Sequence, residues 1–244
     1  MKTMKSFMGL LALLVAFSCT KNTVTSGGYV SFAVSADEVL ADVTKSNVSD
    51  YATVPTAAAF TLEITDASGG VFWNGNLSDW DPATMIPVGD YTATAIYGDL
   101  EDEGFDKPFF EGSQTFAVKG AETTPVAVSV ALGNTVVKVN CTDNFKNYYP
   151  DHTFKLMRGI SEIVTFAKDD TRAAFIDGWQ VQIKGTLMTE TGAEKVFSAE
   201  YKNLNPATAY TLVLDIANTG SGAVALSFNN DVQTVEVEEV ELND

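Results

Sequence analysis

Cysteine is scarce in this chain: two in 244 residues, Cys19 and Cys141. One disulfide at most can form, so no cross-linked framework holds the fold. Histidine is scarcer, with His152 alone. One imidazole needs thiolate or carboxylate partners to bind zinc, and none stands at ligand spacing. No Gly-x-Ser-x-Gly turn presents a nucleophile to it. His152 follows the turn-like Tyr148-Tyr149-Pro150-Asp151 and is expected at the surface. There is no Gly-rich phosphate loop, so neither an enzyme nor a cofactor is indicated. Positive charge is short as well: 15 Lys and Arg against 32 Asp and Glu, a formal net charge of −17. So acidic a surface repels phosphate backbones and argues against nucleic acid as a partner. The longest apolar run, Phe7 to Phe17, is about a dozen residues, well short of the ~20 that cross a bilayer as a helix.

That run is informative in another way. It follows Lys2 and Lys5, and small Ser18 comes before Cys19. A basic start, a short apolar stretch and a small residue before the cut describe a signal peptide over 1–18. The cysteine sits where lipoprotein processing needs a thiol to acylate. Ala16-Phe17-Ser18-Cys19 resembles the relaxed form of that signal in Bacteroidetes lipoproteins. Cys19 is therefore the expected lipidation site and membrane anchor. More than one acyl chain there would hold the protein stably. Residues 19–28 begin small and polar and read as a flexible tether. Acylation of Cys19 would leave Cys141 without a disulfide partner.

Beyond the tether, apolar residues alternate or fall in short β-branched runs between turn residues. Val30, Phe32 and Val34 share one face of a strand, and Phe60, Leu62 and Ile64 one face of the next. Similar segments follow, including GDYTATAIYG, TPVAVSVAL, TVVKVNC, WQVQIKGTLM, KVFSAEY and AYTLVLDIA. Many short strands at such spacing predict an all-β chain of sandwiches or barrels. A turn of helix fits only at Asn144–Tyr148 or Thr171–Ile176. In VQTVEVEEVEL the apolar parity flips at Glu238-Glu239, which predicts a bulge there. Leu132-Gly133-Asn134 breaks a long apolar stretch near the middle. The chain is long enough for two cores of roughly a hundred residues. The expected fold is two tandem β-sandwich domains, 29–132 and 133–244, with one large sandwich as the alternative.

The order GYVSF, FTLEITD, IPVGDYTATAIYGD, GFDKPFFEGSQTFAV, LGNTVVKVN and NFKNYYPDHTF resembles a Bacteroidetes family of surface lipoproteins whose domain has no assigned function. That family is similar in style to the fimbrillins, whose subunits are two tandem transthyretin-like sandwiches. The likeness covers about residues 29–157, with strand style alone beyond. It implies an outer-membrane, cell-surface protein with an adhesive or fimbria-like role and no catalytic residues. It also implies an assembly route. Proteolysis after a basic residue beyond the first strand would release that strand, and a neighbouring subunit's strand would fill the groove. Lys45, between the first two strands, is the position for such a cut, where the family usually has Arg. An ordinary loop lysine is the simpler reading.

Two further groups stand out. Asp99, Glu101 and Glu103, with Gly104, loosely echo a calcium loop. Phe110 stands where a bidentate Glu is required, so a solvated acidic loop is the simpler reading. Trp73 and Trp80 lie in VFWNGNLSDW beside Asp and Asn. Their rings would suit stacking on sugars, which makes a surface glycan-binding lipoprotein the rival function, although large aromatics more often fill cores. Cys141 shares strand parity with Val137 and Val139 and reads as a small buried apolar residue.

Overall fold

A computed structural model describes residues 26–40, 46–218, 223–228, 231–235 and 238–239. Cys19 and Lys45 lie outside the described residues. The chain is all-β. Its first half comprises β1 (Gly27–Ala36), β2 (Thr61–Asp66), β3 (Val71–Asn76), β4 (Ile86–Pro87), β5 (Gly89–Tyr97), β6 (Gly104–Phe105), β7 (Phe110–Val118) and β8 (Thr123–Leu132). All but β6 join one sheet in the order β3-β2-β5-β7-β8-β1-β4. β1 runs parallel to β8 from the Tyr29/Thr123 pair to Ala36/Val130. β7 and β8 pair only at Phe110/Leu132 and Glu111/Ala131. Past that point the sheet folds over itself. Leu62, Ile64, Ala93 and Ala95 from one layer meet Val30, Val126, Val128 and Val130 from the other in a single core. Period-two alternation produces this directly, because every second side chain of β2, β5 and β8 points inward.

The second half comprises β9 (Thr135–Cys141), α1 (Asp143–Tyr148), β10 (Asp151–Arg158), β11 (Ser161–Phe166), β12 (Ala173–Ile176), β13 (Gln180–Met188), β14 (Glu194–Lys202), β15 (Thr208–Asn218), β16 (Ala223–Phe228), β17 (Asp231–Val235) and β18 (Glu238–Glu239). One sheet runs β11-β10-β13-β14-β18 and the other β17-β16-β15-β9-β12-β6. Phe154, Leu156, Val181, Ile183 and Phe197 of the first pack on Val137, Val139, Leu212, Leu214 and Leu226 of the second. That is a β-sandwich in the ordinary sense of two sheets burying their inner faces. β9 and β15 are parallel, as β1 and β8 are in the first half.

Three expectations are refined here. The helical turn forms at Asp143–Tyr148, where Thr142 caps it by accepting from the Phe145 N–H at 3.2 Å. The segment Thr171–Ile176 does not form one: Ala173–Ile176 is strand β12, with all four residues buried. A strand covered on both faces shows no alternation, which is why its pattern misleads. There is also no bulge at Glu238-Glu239, which pair in consecutive register with Val196 and Lys195 of β14. β17, by contrast, pairs with β16 in the other sheet. The parity flip marks a chain passing from one sheet to the other.

The two halves interlock. Asn134 is fully buried, its side-chain oxygen accepts from the Phe109 N–H, and its carbonyl accepts from the Ala207 N–H at 2.8 Å. β6, from the first half, pairs with β12 of the second at Phe105/Ala174 and Gly104/Phe175. Val136, Ala173, Phe175 and Ala209 in turn pack into the first core.

Candidate functional site

β1 occupies a built seat. Gly28 opens it where no side chain fits, since a Cβ would lie 2.2 Å from the Lys119 carbonyl oxygen. The Tyr29 N–H donates to the Glu122 carbonyl at 2.8 Å, and at the far end the Asp37 N–H donates to the Val130 carbonyl at 2.8 Å. Val30 is wholly buried, with Phe32, Val34 and Ala36 half-buried behind it on the same face. Their alternation with exposed Ser31, Ala33 and Ser35 is the pattern expected for this strand.

Trp80 latches the strand. It is 9% exposed, and its indole N–H donates to the Val30 carbonyl at 3.1 Å. Phe32 stands edge-on to Trp80 at 5.4 Å and to Phe116 at 5.8 Å. Trp73 meets Trp80 edge to face at 5.3 Å. These contacts place Trp80 in the core, so its ring is not available as a sugar platform. Trp73 packs against the same core. On either side of residues 41–45, the Leu40 N–H donates to the Ser46 carbonyl at 3.1 Å, and Val39 bridges Asn47. Buried Leu40 and Val48 anchor those flanks.

The acidic loop is a clasp between the halves. Arg158 Nε donates to Glu103 Oε2 at 3.0 Å and its Nη2 to Oε1. The same Oε1 accepts from the Asp177 N–H at 2.7 Å, and Arg158 Nη2 also donates to the Asp177 carbonyl at 2.6 Å. The Glu103 hydrogen bond raises the Arg158 guanidinium above its ordinary range against the opposing effect of burial. Phe105, next along, sits edge-on to Phe166 at 5.2 Å, with the Arg172 guanidinium 3.8 Å above its ring. The hydrogen bond and ion pair with Arg172 hold the Asp170 carboxyl below its usual range. Asp99 accepts from the Glu101 N–H at 2.9 Å, and Asp102 pairs with Lys107 at 2.6 Å. Both Glu103 carboxylate oxygens are thus engaged by Arg158 and Asp177. Among the described residues no group of three His, Cys, Asp or Glu side chains is arranged to hold a metal ion.

His152 is not on the surface. It is 3% exposed, its Nδ1 meets the Tyr149 carbonyl at 2.9 Å, and Phe145 and Phe154 flank its ring. Its place in β10, opposite Leu187 of β13, turns it inward. Cys141 is a free thiol, half-buried against the second core, and burial pushes its pKa up to about 12. It has little of the thiolate that reactivity requires. No helix among the described residues is long and apolar enough to cross a membrane.

One side chain stands apart. Trp179 is 72% exposed, although its position at the head of an apolar strand segment suggested no such thing. The preceding Asp177-Gly178, a turn signal, was the available hint.

A family model described as a domain of unknown function, DUF4493, matches residues 26–244. Among solved structures, a candidate cell adhesion protein of Bacteroides ovatus is 12% identical, with a TM-score of 0.47, covering 88% of this chain and 99% of that one. A candidate cell adhesion protein of Bacteroides eggerthii is 10% identical, with a TM-score of 0.47, covering 89% and 96%. The fimbrial anchor protein Mfa2 of Porphyromonas gingivalis is 13% identical, with a TM-score of 0.33, covering 84% and 98%. No curated protein sequence matches this one.

Proposed function

The chain belongs to the DUF4493 family of domains of unknown function, and from that premise we propose that it is a non-enzymatic cell-surface lipoprotein. Its work is adhesion or fimbria-like assembly, and an acylated Cys19 holds it to the outer membrane. The observation that carries the reading is the seat of β1. That strand is joined to the body by a parallel ladder on β8, a two-residue pairing with β4 and the Trp80 latch. It lies between the Cys19 anchor and Lys45. Taking it away would uncover the edge of β8 and the core around Val126 and Val128, a groove shaped for another extended strand.

A cut after Lys45 would therefore do two things at once. It would sever the body's covalent link to the lipid, and it would leave β1 held by non-covalent contacts that a neighbour's strand can replace. The test starts from intact protein exposed to the surface proteases of its own cells. The new N-terminus is mapped and the size of the product is followed by light scattering. A new terminus at Ser46 with growth into oligomers supports the reading. An intact 41–45 segment with a persistently monomeric product removes strand exchange. Radiolabelled fatty acid incorporation, lost in Cys19→Ser, tests the anchor separately.

A further inference from the structure

Trp179 and Ile160 are the most exposed of the large apolar side chains among the described residues, at 72% and 98%. Trp73 and Trp80 are occupied in the first core. An exposed indole leaves one of the largest apolar surfaces of any side chain in water. The backbone around it is tied down. The Trp179 N–H donates to the Asp177 carbonyl at 2.9 Å, and the Trp179 carbonyl accepts from the Asn203 N–H at 3.0 Å. Asp177 is itself fixed by the Glu103–Arg158 clasp. These bonds fix the main chain from which the exposed ring projects.

Beside it is a hollow of 540 Å³, lined by Trp179, Met157, Arg158, Gln180, Gln182 and Glu200 among others. That is the size of a site for a small ligand. Met157, paired with Gln182 on the outer face of the sheet, gives it a buried apolar floor. Its rim is polar: Gln182 lies opposite Glu200 across the β13/β14 ladder, and the Gln180 side-chain amide donates to Glu200 Oε1, which leaves the Gln182 amide and the remaining Gln180 and Glu200 positions for a ligand. The charges are balanced, Arg158 by Glu103 and Glu200 by Lys202 at 3.1 Å. A flat ring, side-chain amides and a locally neutral field match one ligand chemistry in particular. A pyranose offers weakly positive C–H bonds to the negative face of the indole, and a rim of hydroxyls to the amides and carboxylate. A protein partner would need roughly 800 Å² of complementary surface, which a single hollow with one exposed aromatic ring does not offer.

We propose that the hollow beside Trp179 is a binding subsite for a neutral saccharide. The site lies on the second sandwich and does not involve β1, so it stands or falls independently of strand exchange. The full chain is titrated by calorimetry with neutral tetrasaccharides of glucose, galactose and mannose, and with a tetragalacturonate. At least one neutral probe should bind, and the uronate about tenfold more weakly in a chain this acidic. Trp179→Ala should weaken the neutral probe about tenfold or more and Gln182→Ala several-fold, while Trp179→Phe, which keeps a ring face, loses only about threefold. The thermal midpoint of Trp179→Ala reports whether the fold survives. Binding by none of the neutral probes, or unchanged binding by a folded Trp179→Ala protein, overturns the proposal. So does self-association of the wild type that Trp179→Ala abolishes in the absence of sugar, which would make the hollow a contact between copies.

Discussion

Glu103 is 14% exposed and accepts from three donors, two on Arg158 and one on the Asp177 backbone. Removing its carboxylate leaves a half-buried guanidinium and a backbone N–H without that partner, which costs about 2 kcal/mol. The neighbouring Lys107–Asp102 pair is about half exposed on both sides, where an ion pair is worth well under ~1 kcal/mol. Glu103→Ala should therefore lower the urea midpoint clearly, and Lys107→Ala should leave it nearly unchanged. Equal effects would mean that the acidic loop is solvated and holds nothing together. A second residue-scale effect appears in alkali. Burial holds Cys141, Tyr149 and Tyr201 protonated up to about 12, against 9.0 for an ordinary thiol and 10.0 for a phenol. The unfolded chain gives up these protons from about pH 9, while the folded chain keeps them, so unfolding is increasingly favoured as pH rises toward 12. Their contribution is whole below pH 9 and is lost above it, at up to ~1.4 kcal/mol per pH unit for each group. Urea midpoints should fall from about pH 9, and Cys141→Ala should delay the onset to about pH 10. Midpoints that stay level from pH 9 to 11 would contradict this.

Single strands show where such reasoning from sequence succeeds and where it stops. β1, β2 and β5 were legible because each has one packed and one open face, so Val30, Leu62, Ile64, Ala93 and Ala95 betray themselves by period two. β3 was not, because it lies at the sheet edge and its residues are exposed or half-buried. β12 failed for the opposite reason, being buried on both faces. Trp80 and Trp179 carry the same side chain, and only tertiary contacts make one a latch and the other a platform. Glu103 likewise reads as one more acid in GDLEDEGFD until Arg158, far along the chain, is brought to it. Gly112 is the element-scale test. It lies in β7 where the folded sheet crosses β8, and a Cβ there would come 2.1 Å from the Ser129 carbonyl oxygen. Backbone cannot yield as a side-chain tip does, so Gly112→Ala should push β7 off β8 and cost about 2 kcal/mol. A thermal midpoint matching wild type would show that β7 and β8 have room to part.

At the scale of the whole molecule, the question is whether the sandwiches behave as two bodies or one. We place the division between Leu132 and Gly133, as a proposal, because most buried residues before it fall in one core and most after it in the other. The joint is nonetheless no linker. Asn134 is buried, β6 crosses into the far sheet, and Val136, Ala173, Phe175 and Ala209 fill the first core. Shared walls couple unfolding: opening either sandwich exposes apolar surface of the other and breaks the Glu103 clasp. The intact chain should accordingly unfold in one cooperative transition, with calorimetric and van't Hoff enthalpies in agreement. Phe105→Ala combined with Glu103→Ala removes both the aromatic contact with Phe166 and the ion pair. With those ties gone, the transition should broaden or split. Two separate transitions already present in the wild type would instead make the halves independent. The proposed strand exchange bears on the same point, because it requires the second sandwich to stay folded while the first is open. The interlock predicts that the second core supports the first through that exchange. Hydrogen exchange after a cut near Lys45 should then quicken at β8 and stay slow at β9, β13 and β15.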